Sequence, residues 1–136
     1  MKGMKGKFLI KGQLEITDTP WGPMQWLSRP STTRARDLVC MTVDIAAGGG
    51  HDFHHHPGQE ELIYLLKGRV EQWVEGEHRV MKPGDAVFIQ SGVVHATFNL
   101  GKGTAQLFVA LGPARGRAGY RAVDVSGKAP WKGLRA

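Results

Sequence analysis

Short apolar runs recur along the chain, and in most of them the period is two. Phe8, Ile10, Leu14 and Ile16 alternate with polar residues or glycine, which predicts a strand at the N-terminal end. Residues 18–23 are a Pro- and Gly-rich turn, 24–27 a short strand, and a polar loop runs to about Asp37. Strands are then predicted over 38–45, 62–66, 69–75, 78–81, 86–90, 93–99 and 105–111. Turn chemistry separates them: Ala46 to Gly50, Lys67-Gly68, the Glu75-Gly76-Glu77 hairpin, Lys82 to Asp85, Ser91-Gly92 and Gly101 to Gly103. Gly112-Pro113 closes the series, and the tail beyond it holds one short strand candidate, Tyr120 to Val125. No ten-residue segment carries a clean helical period. Strands spaced this regularly predict an all-β sandwich or barrel. The alternating segments at both ends are suited to edge positions, in this chain or on a partner subunit.

Composition narrows the function classes. The chain has 136 residues, which predicts one domain. Cys40 is the single cysteine, which excludes an intramolecular disulfide framework and a cysteine-built zinc site. No apolar run approaches the roughly 18 residues of a membrane span, and no signal-peptide pattern follows Lys2, Lys5 and Lys7. A soluble, cytoplasmic protein is the expectation. The formal charge is +6, but its distribution speaks against nucleic acid. Residues 1–11 hold four lysines and no acid, and residues 115–136 hold six basic residues against Asp124. The middle, 12–114, has eight basic and eleven acidic residues. Solvated basic arms on a mildly acidic body fit this pattern better than a cationic binding face. The first six residues read as a disordered leader.

The candidate chemistry is in the histidines. His51, His54, His55 and His56 lie in one stretch that ends in the Pro57-Gly58 turn, with Glu61 opening the next apolar strand. On a strand His54 and His56 project together and His55 oppositely. A return through the turn can bring the Glu61 carboxylate beside them. His95 sits among apolar residues, where an imidazole needs a partner. Three imidazoles and one carboxylate suit a divalent transition metal (Mn, Fe, Co, Ni, Cu or Zn). A solvated histidine loop and a satisfied core histidine would account for the same residues.

The spacing adds a resemblance. Gly48, His54, His56, Glu61 and Gly68, with gaps of five, one, four and six residues, resemble the first motif of the cupin superfamily. Gly84-Asp85, then Gln90-Ser91-Gly92, His95 and Asn99, resemble the second. Gln90 stands where that motif usually has proline, a change in a turn residue. The resemblance spans about residues 38–112. It implies an antiparallel β-barrel or jelly roll (the double-stranded β-helix), often dimeric. The core would be about 38–112, preceded by N-terminal strands and a loop (1–37) and followed by the basic tail (113–136). It also implies one metal per chain inside the barrel on His54, His56, Glu61 and His95. Glu60 competes with Glu61, but only Glu61 keeps the six-residue gap to Gly68. His51 and His55 fall outside the motifs and read as rim or loop residues, with contact to a substrate at the mouth as the alternative. His78 reads as an exposed hairpin residue.

Four protein donors leave an open position on the ion, the mark of a catalytic site. The expected function is therefore a metal-dependent enzyme of dioxygenase or oxidoreductase type acting on a small oxygen-rich molecule, with Glu61 able to serve as a base. An isomerase or lyase, or a non-catalytic small-ligand binder, is the alternative. Alternation places Thr97 beside His95 on the inner face, and Gln72 there too if Val70, Gln72 and Val74 face inward. The opposite register would bury Trp73 and leave Gln72 wet. Both polar residues are candidates for substrate contact. Trp21, Trp26, Trp73 and Trp131 are expected to pack in the core or at a homodimer interface.

Overall fold

The computed structural model describes residues 5–135. Its elements are β1 (Ile16–Thr17), β2 (Met24–Ser28), α1 (Pro30–Thr33), β3 (Val39–Ile45), β4 (Gly50–His55), β5 (Glu60–Lys67), β6 (Val70–Val74), β7 (Glu77–Met81), β8 (Ala86–Ile89), β9 (His95–Asn99), β10 (Ala105–Gly112) and β11 (Val123–Asp124). They form two antiparallel sheets, ordered β1-β2-β3-β10-β5-β8 and β11-β4-β9-β6-β7. The sheets face each other as a jelly roll. Their inner faces share one core, with Met41, Val43, Ile63, Leu65, Leu107 and Val109 from the larger sheet against Val70 and Met81 from the smaller. Alternation places them: β10 is buried at every second residue, and β5 likewise up to Leu65. No helix among the described residues is long and apolar enough to cross a membrane.

The turn between β5 and β6 needs glycine. Gly68 has φ of 93°, and a Cβ there would stand 2.9 Å from the Ala105 backbone. At the start of β4, a Cβ on Gly50 would fall 2.4 Å from the Phe98 ring, so the glycine lets that ring close over the strand.

Three expectations are corrected. The predicted strand over Phe8 to Ile16 reduces to Ile16–Thr17, because a turn at Lys11-Gly12, with Gly12 at φ of 90°, breaks the run. Phe8 and Ile10 are exposed. The polar loop before Asp37 contains one helical turn, α1, started by Pro30.

The third correction concerns the tail, which is not a solvated arm. A second apolar cluster of Phe53, Trp73, Ala96 and Val125 lies on the outer face of the smaller sheet, and Val123 and Trp131 pack against it. β11 adds to that sheet by pairing with His54 and His55 of β4. The Trp131 ring stacks on Phe53 at 5.6 Å. Arg135 pairs with Glu71 at 2.7 Å and lies 4.0 Å above the Phe98 ring. The basic residues mask the apolar contacts that hold the tail down. The leader expectation falls mainly on residues 1–4, outside the described residues; Lys5 and Gly6 are exposed.

Candidate metal centre

His54 and His95 are direct cross-strand partners on β4 and β9, so their side chains leave the smaller sheet side by side. His56 lies just past β4. Glu61 enters from β5 of the opposite sheet, where it pairs with Ile89 and Leu111. The chain turns between them at Pro57-Gly58, with Gly58 at φ of 72°. All four side chains are buried. One ligand-capable nitrogen from each of His54, His56 and His95 lies within 4.8 Å of the other two. Glu61 Oε1 lies 2.7 Å from His95 Nε2 and 3.3 Å from His56 Nε2.

The rings are fixed in a donor-ready state. Nδ1 of His54 donates to the Asp52 carbonyl at 2.6 Å, Nδ1 of His56 to Arg121 at 2.9 Å, and Nδ1 of His95 to Val93 at 2.9 Å. A carbonyl only accepts, so each Nδ1 carries the proton and each ring, when neutral, presents an Nε2 lone pair to the cavity. His95 Nε2 and Glu61 Oε1 are both buried without a directional hydrogen bond, although they approach to 2.7 Å. With His95 in that tautomer neither atom carries a proton, so two lone pairs face each other. Atoms aimed at a common point between them behave this way, and the donor set fits a transition ion.

Burial and the close pairing of Glu61 with the imidazoles set the charges of the ion-free centre. Burial opposes charge on Glu61, but His95 and His56 outweigh it and hold the carboxyl well below the usual range. Burial also works against a charged His56, yet Glu61 and the Arg121 carbonyl raise its affinity for a proton. His54 is held well below the usual histidine value by burial and by the neighbouring imidazoles. Burial lowers His51 to about 3.

The cavity between these groups measures about 40 Å³, and His51, Trp21, Thr97 and Tyr120 complete its wall. Space of that size suits one or two waters or ligand oxygens. Thr97 and Gln72 are both buried, and the Thr97 hydroxyl donates to Gln72 Oε1. Gln72 and Trp73 are buried on opposite faces of β6, so the two registers weighed for that strand are not exclusive: the tail covers Trp73 on the outside. His78 is exposed and stacks on Trp73.

Other wall residues depart from expectation. His51 and His55 lie within β4, not in a loop. His51 faces the cavity, stacked between Trp21 and His54 at 3.7 and 3.5 Å. Strict alternation puts His51 and His54 on opposite faces. A bulge between them, Asp52 and Phe53 on β4 against Ala96 alone on β9, returns both to the inner face. Trp21 therefore forms part of the site's wall as well as packing against the core. Gln59 gave no sequence signal. It is almost fully buried, donates to the carbonyls of Pro113 (2.8 Å) and Gly119 (3.0 Å), and accepts from the Arg121 N–H (3.1 Å). The tail segment that Gln59 holds carries Tyr120 and the carbonyl that orients His56.

The fold and this histidine centre define a class, and comparison with known proteins agrees. The chain belongs to the cupin domain family Cupin_2, whose model matches residues 41–111. A germin-like protein from Morus alba is 38% identical over 73 residues, which cover 50% of this chain and 35% of that protein. The pectin degradation protein KdgF from Dickeya dadantii is 30% identical over 88 residues, 64% of this chain and 80% of KdgF. The match thus spans about a third of the germin-like protein and most of KdgF. The structure of KdgF from Halomonas sp. superposes with a TM-score of 0.73 at 23% identity, over 82% of this chain and 97% of that one, a likeness of fold.

Proposed function

We propose that this cupin binds one divalent transition ion on His54, His56 and His95, with Glu61 as the fourth donor, and acts as a metal-dependent enzyme on a small oxygen-rich molecule. The observation that carries the reading is the common tautomer: three Nδ1–H groups tied to carbonyls leave three Nε2 lone pairs converging on one cavity. When bound, such an ion polarises an oxygen of a chelating substrate, or activates dioxygen if it is redox-active. Glu61 offsets part of its charge and stands close enough to the cavity to take a proton from a bound hydroxyl. The apolar core around the cavity, Met41, Val43, Ile63 and Leu107 among it, excludes water. Thr97 and Gln72 supply polar contacts for the substrate.

Within this reading the first chemistry is dioxygenase-type oxidoreduction. A lyase or isomerase that leaves oxygen unused is the second reading, and the likeness to KdgF favours it, because that relative's name places it in pectin breakdown. The test begins with elemental analysis of untagged protein beside His95→Ala. About one transition ion per wild-type chain, lost in the variant, is expected. Turnover of hydroxy- and keto-acids is then compared with and without oxygen. Oxygen uptake coupled to turnover supports the dioxygenase, and equal anaerobic turnover supports the lyase or isomerase. A wild-type protein that refuses added Mn, Fe, Ni and Zn overturns the metal reading and leaves a metal-free binding barrel.

A further inference from the structure

The 40 Å³ cavity is too small for a substrate, and a second space lies on the other side of the Thr97–Gln72 hydrogen bond, with no lining residue in common. A cleft of about 740 Å³ opens between β6–β7 and the start of β8, lined by Gln72, Val74, Arg79 and Val87 and by the acids Glu77 and Asp85. Its size falls in the range of small-molecule sites. The strand registers relate the two spaces. His51 on β4 pairs with Thr97 on β9, Thr97 pairs with Gln72 on β6, and Gln72 pairs with Arg79 on β7. Residues paired directly across neighbouring strands share a face. Four hydrogen-bonding side chains therefore form one unbroken row across the inner face of the smaller sheet. The row runs beside the parallel line of His54, His95, Val74 and Glu77, which contains two of the proposed metal ligands.

The row has a direction. Thr97 and Gln72 are buried, and Arg79 is exposed at the mouth of the cleft. Thr97 donates to Gln72 Oε1, and Gln72 Nε2 donates to the Trp73 carbonyl. One N–H of Gln72 and the lone pairs of the Thr97 hydroxyl remain for a ligand. None of the ion pairs among the described residues uses Arg79. Of the acids near it, Glu77 lies on the same face, and Asp85 accepts the Lys82 backbone N–H. At about 4.8 Å per strand, Arg79 stands roughly 10 Å beyond Thr97. A guanidinium at the end of a neutral donor–acceptor row fits a carboxylate at the end of a polyoxygenated chain.

We infer that the His51–Thr97–Gln72–Arg79 row is the binding floor for an extended polyhydroxy acid, with its carboxylate on Arg79 and its other end at the histidine centre. This rests on the proposed metal site and names the class of molecule that site would take.

The test uses full-length protein whose metal content has been measured first, so that failure of the metal reading is seen separately. D-glucarate, a six-carbon polyhydroxy diacid, is titrated calorimetrically into metal-loaded wild type, Arg79→Met and Arg79→Lys. Adipate, which lacks the hydroxyls, and sorbitol, which lacks the carboxylates, are the comparisons. Glucarate is expected to bind wild type most tightly. Arg79→Met should weaken it about tenfold or more, the scale of a lost charged hydrogen bond, with metal content unchanged. Arg79→Lys should fall between, because it keeps the charge but loses the fork. Adipate should bind wild type more weakly than glucarate, and the gap between the two should narrow in Gln72→Leu, which removes a partner of the hydroxyls. Glucarate binding that is equal in wild type and Arg79→Met, or absent from a wild type that holds its metal, overturns the inference.

Discussion

Gln59 offers the sharpest test of how the tail serves the proposed metal centre. Replacing it by leucine keeps the volume and removes three buried hydrogen bonds, to the Pro113 and Gly119 carbonyls and from the Arg121 N–H. At about 1 kcal/mol net for each, the protein should lose about 3 kcal/mol, and more if the freed groups find no water. The second effect is specific. Arg121 supplies the carbonyl that receives the His56 Nδ1–H, so a loosened tail frees that ring to turn. Loss of such an outer partner typically lowers metal affinity about 10- to 100-fold. Urea unfolding of the metal-free proteins reads the first effect. Competition for Zn(II) with a chromophoric chelator, and the Co(II) absorption spectrum, read the second at a temperature where both proteins stay folded. Trp131→Ala is the control, because it loosens the tail against Phe53 without touching the segment from Gly119 to Arg121. The reasoning is refuted if Gln59→Leu loses the expected stability but binds Zn(II) as wild type does with an unchanged Co(II) spectrum.

The metal-free protein should be sensitive to acid. His51, lowered to about 3, and His54, held well below the usual histidine value, take up protons on unfolding. Their contribution is complete above about pH 6.5 and is lost as pH falls from there toward 3, about 2 kcal/mol from His51 by pH 5. Glu61 adds to the loss only in stronger acid, and His56, shifted upward, works the other way, its contribution fading as pH rises through its raised value. Urea midpoints at pH 7 and 5 would show this, His51→Phe should flatten the difference, and equal wild-type midpoints would contradict it. Gly50→Ala should cost about 1–3 kcal/mol by driving a methyl into the Phe98 ring, seen as a lowered melting temperature. Trp131→Ala should cost about 2 kcal/mol and raise proteolysis of the tail, because the Phe53 stack loses its half-buried partner.

Much of this molecule is legible without coordinates. A period of two, broken by glycine turns at short intervals, determines antiparallel strands, because side chains alternate between faces and only one face meets the core. The histidine and glycine spacings mark the cupin family and single out His54, His56, Glu61 and His95. Where alternation is local and unbroken, as in β10, sequence suffices to assign buried and exposed positions. It fails where one residue changes the count: the β4 bulge turns His51 into the cavity, and Gly12 ends the N-terminal run. It fails again where burial depends on a distant segment. Gln59 and Arg121 are 62 residues apart, and only the closed fold joins the amide of one to the backbone of the other. The basic tail looked solvated because charge is visible in a sequence, whereas the apolar shelf of Phe53, Trp73 and Ala96 that receives it exists only once three strands lie side by side. The row from His51 to Arg79 is of the same kind: strand register, a property of the assembled sheet, brings its four residues into line.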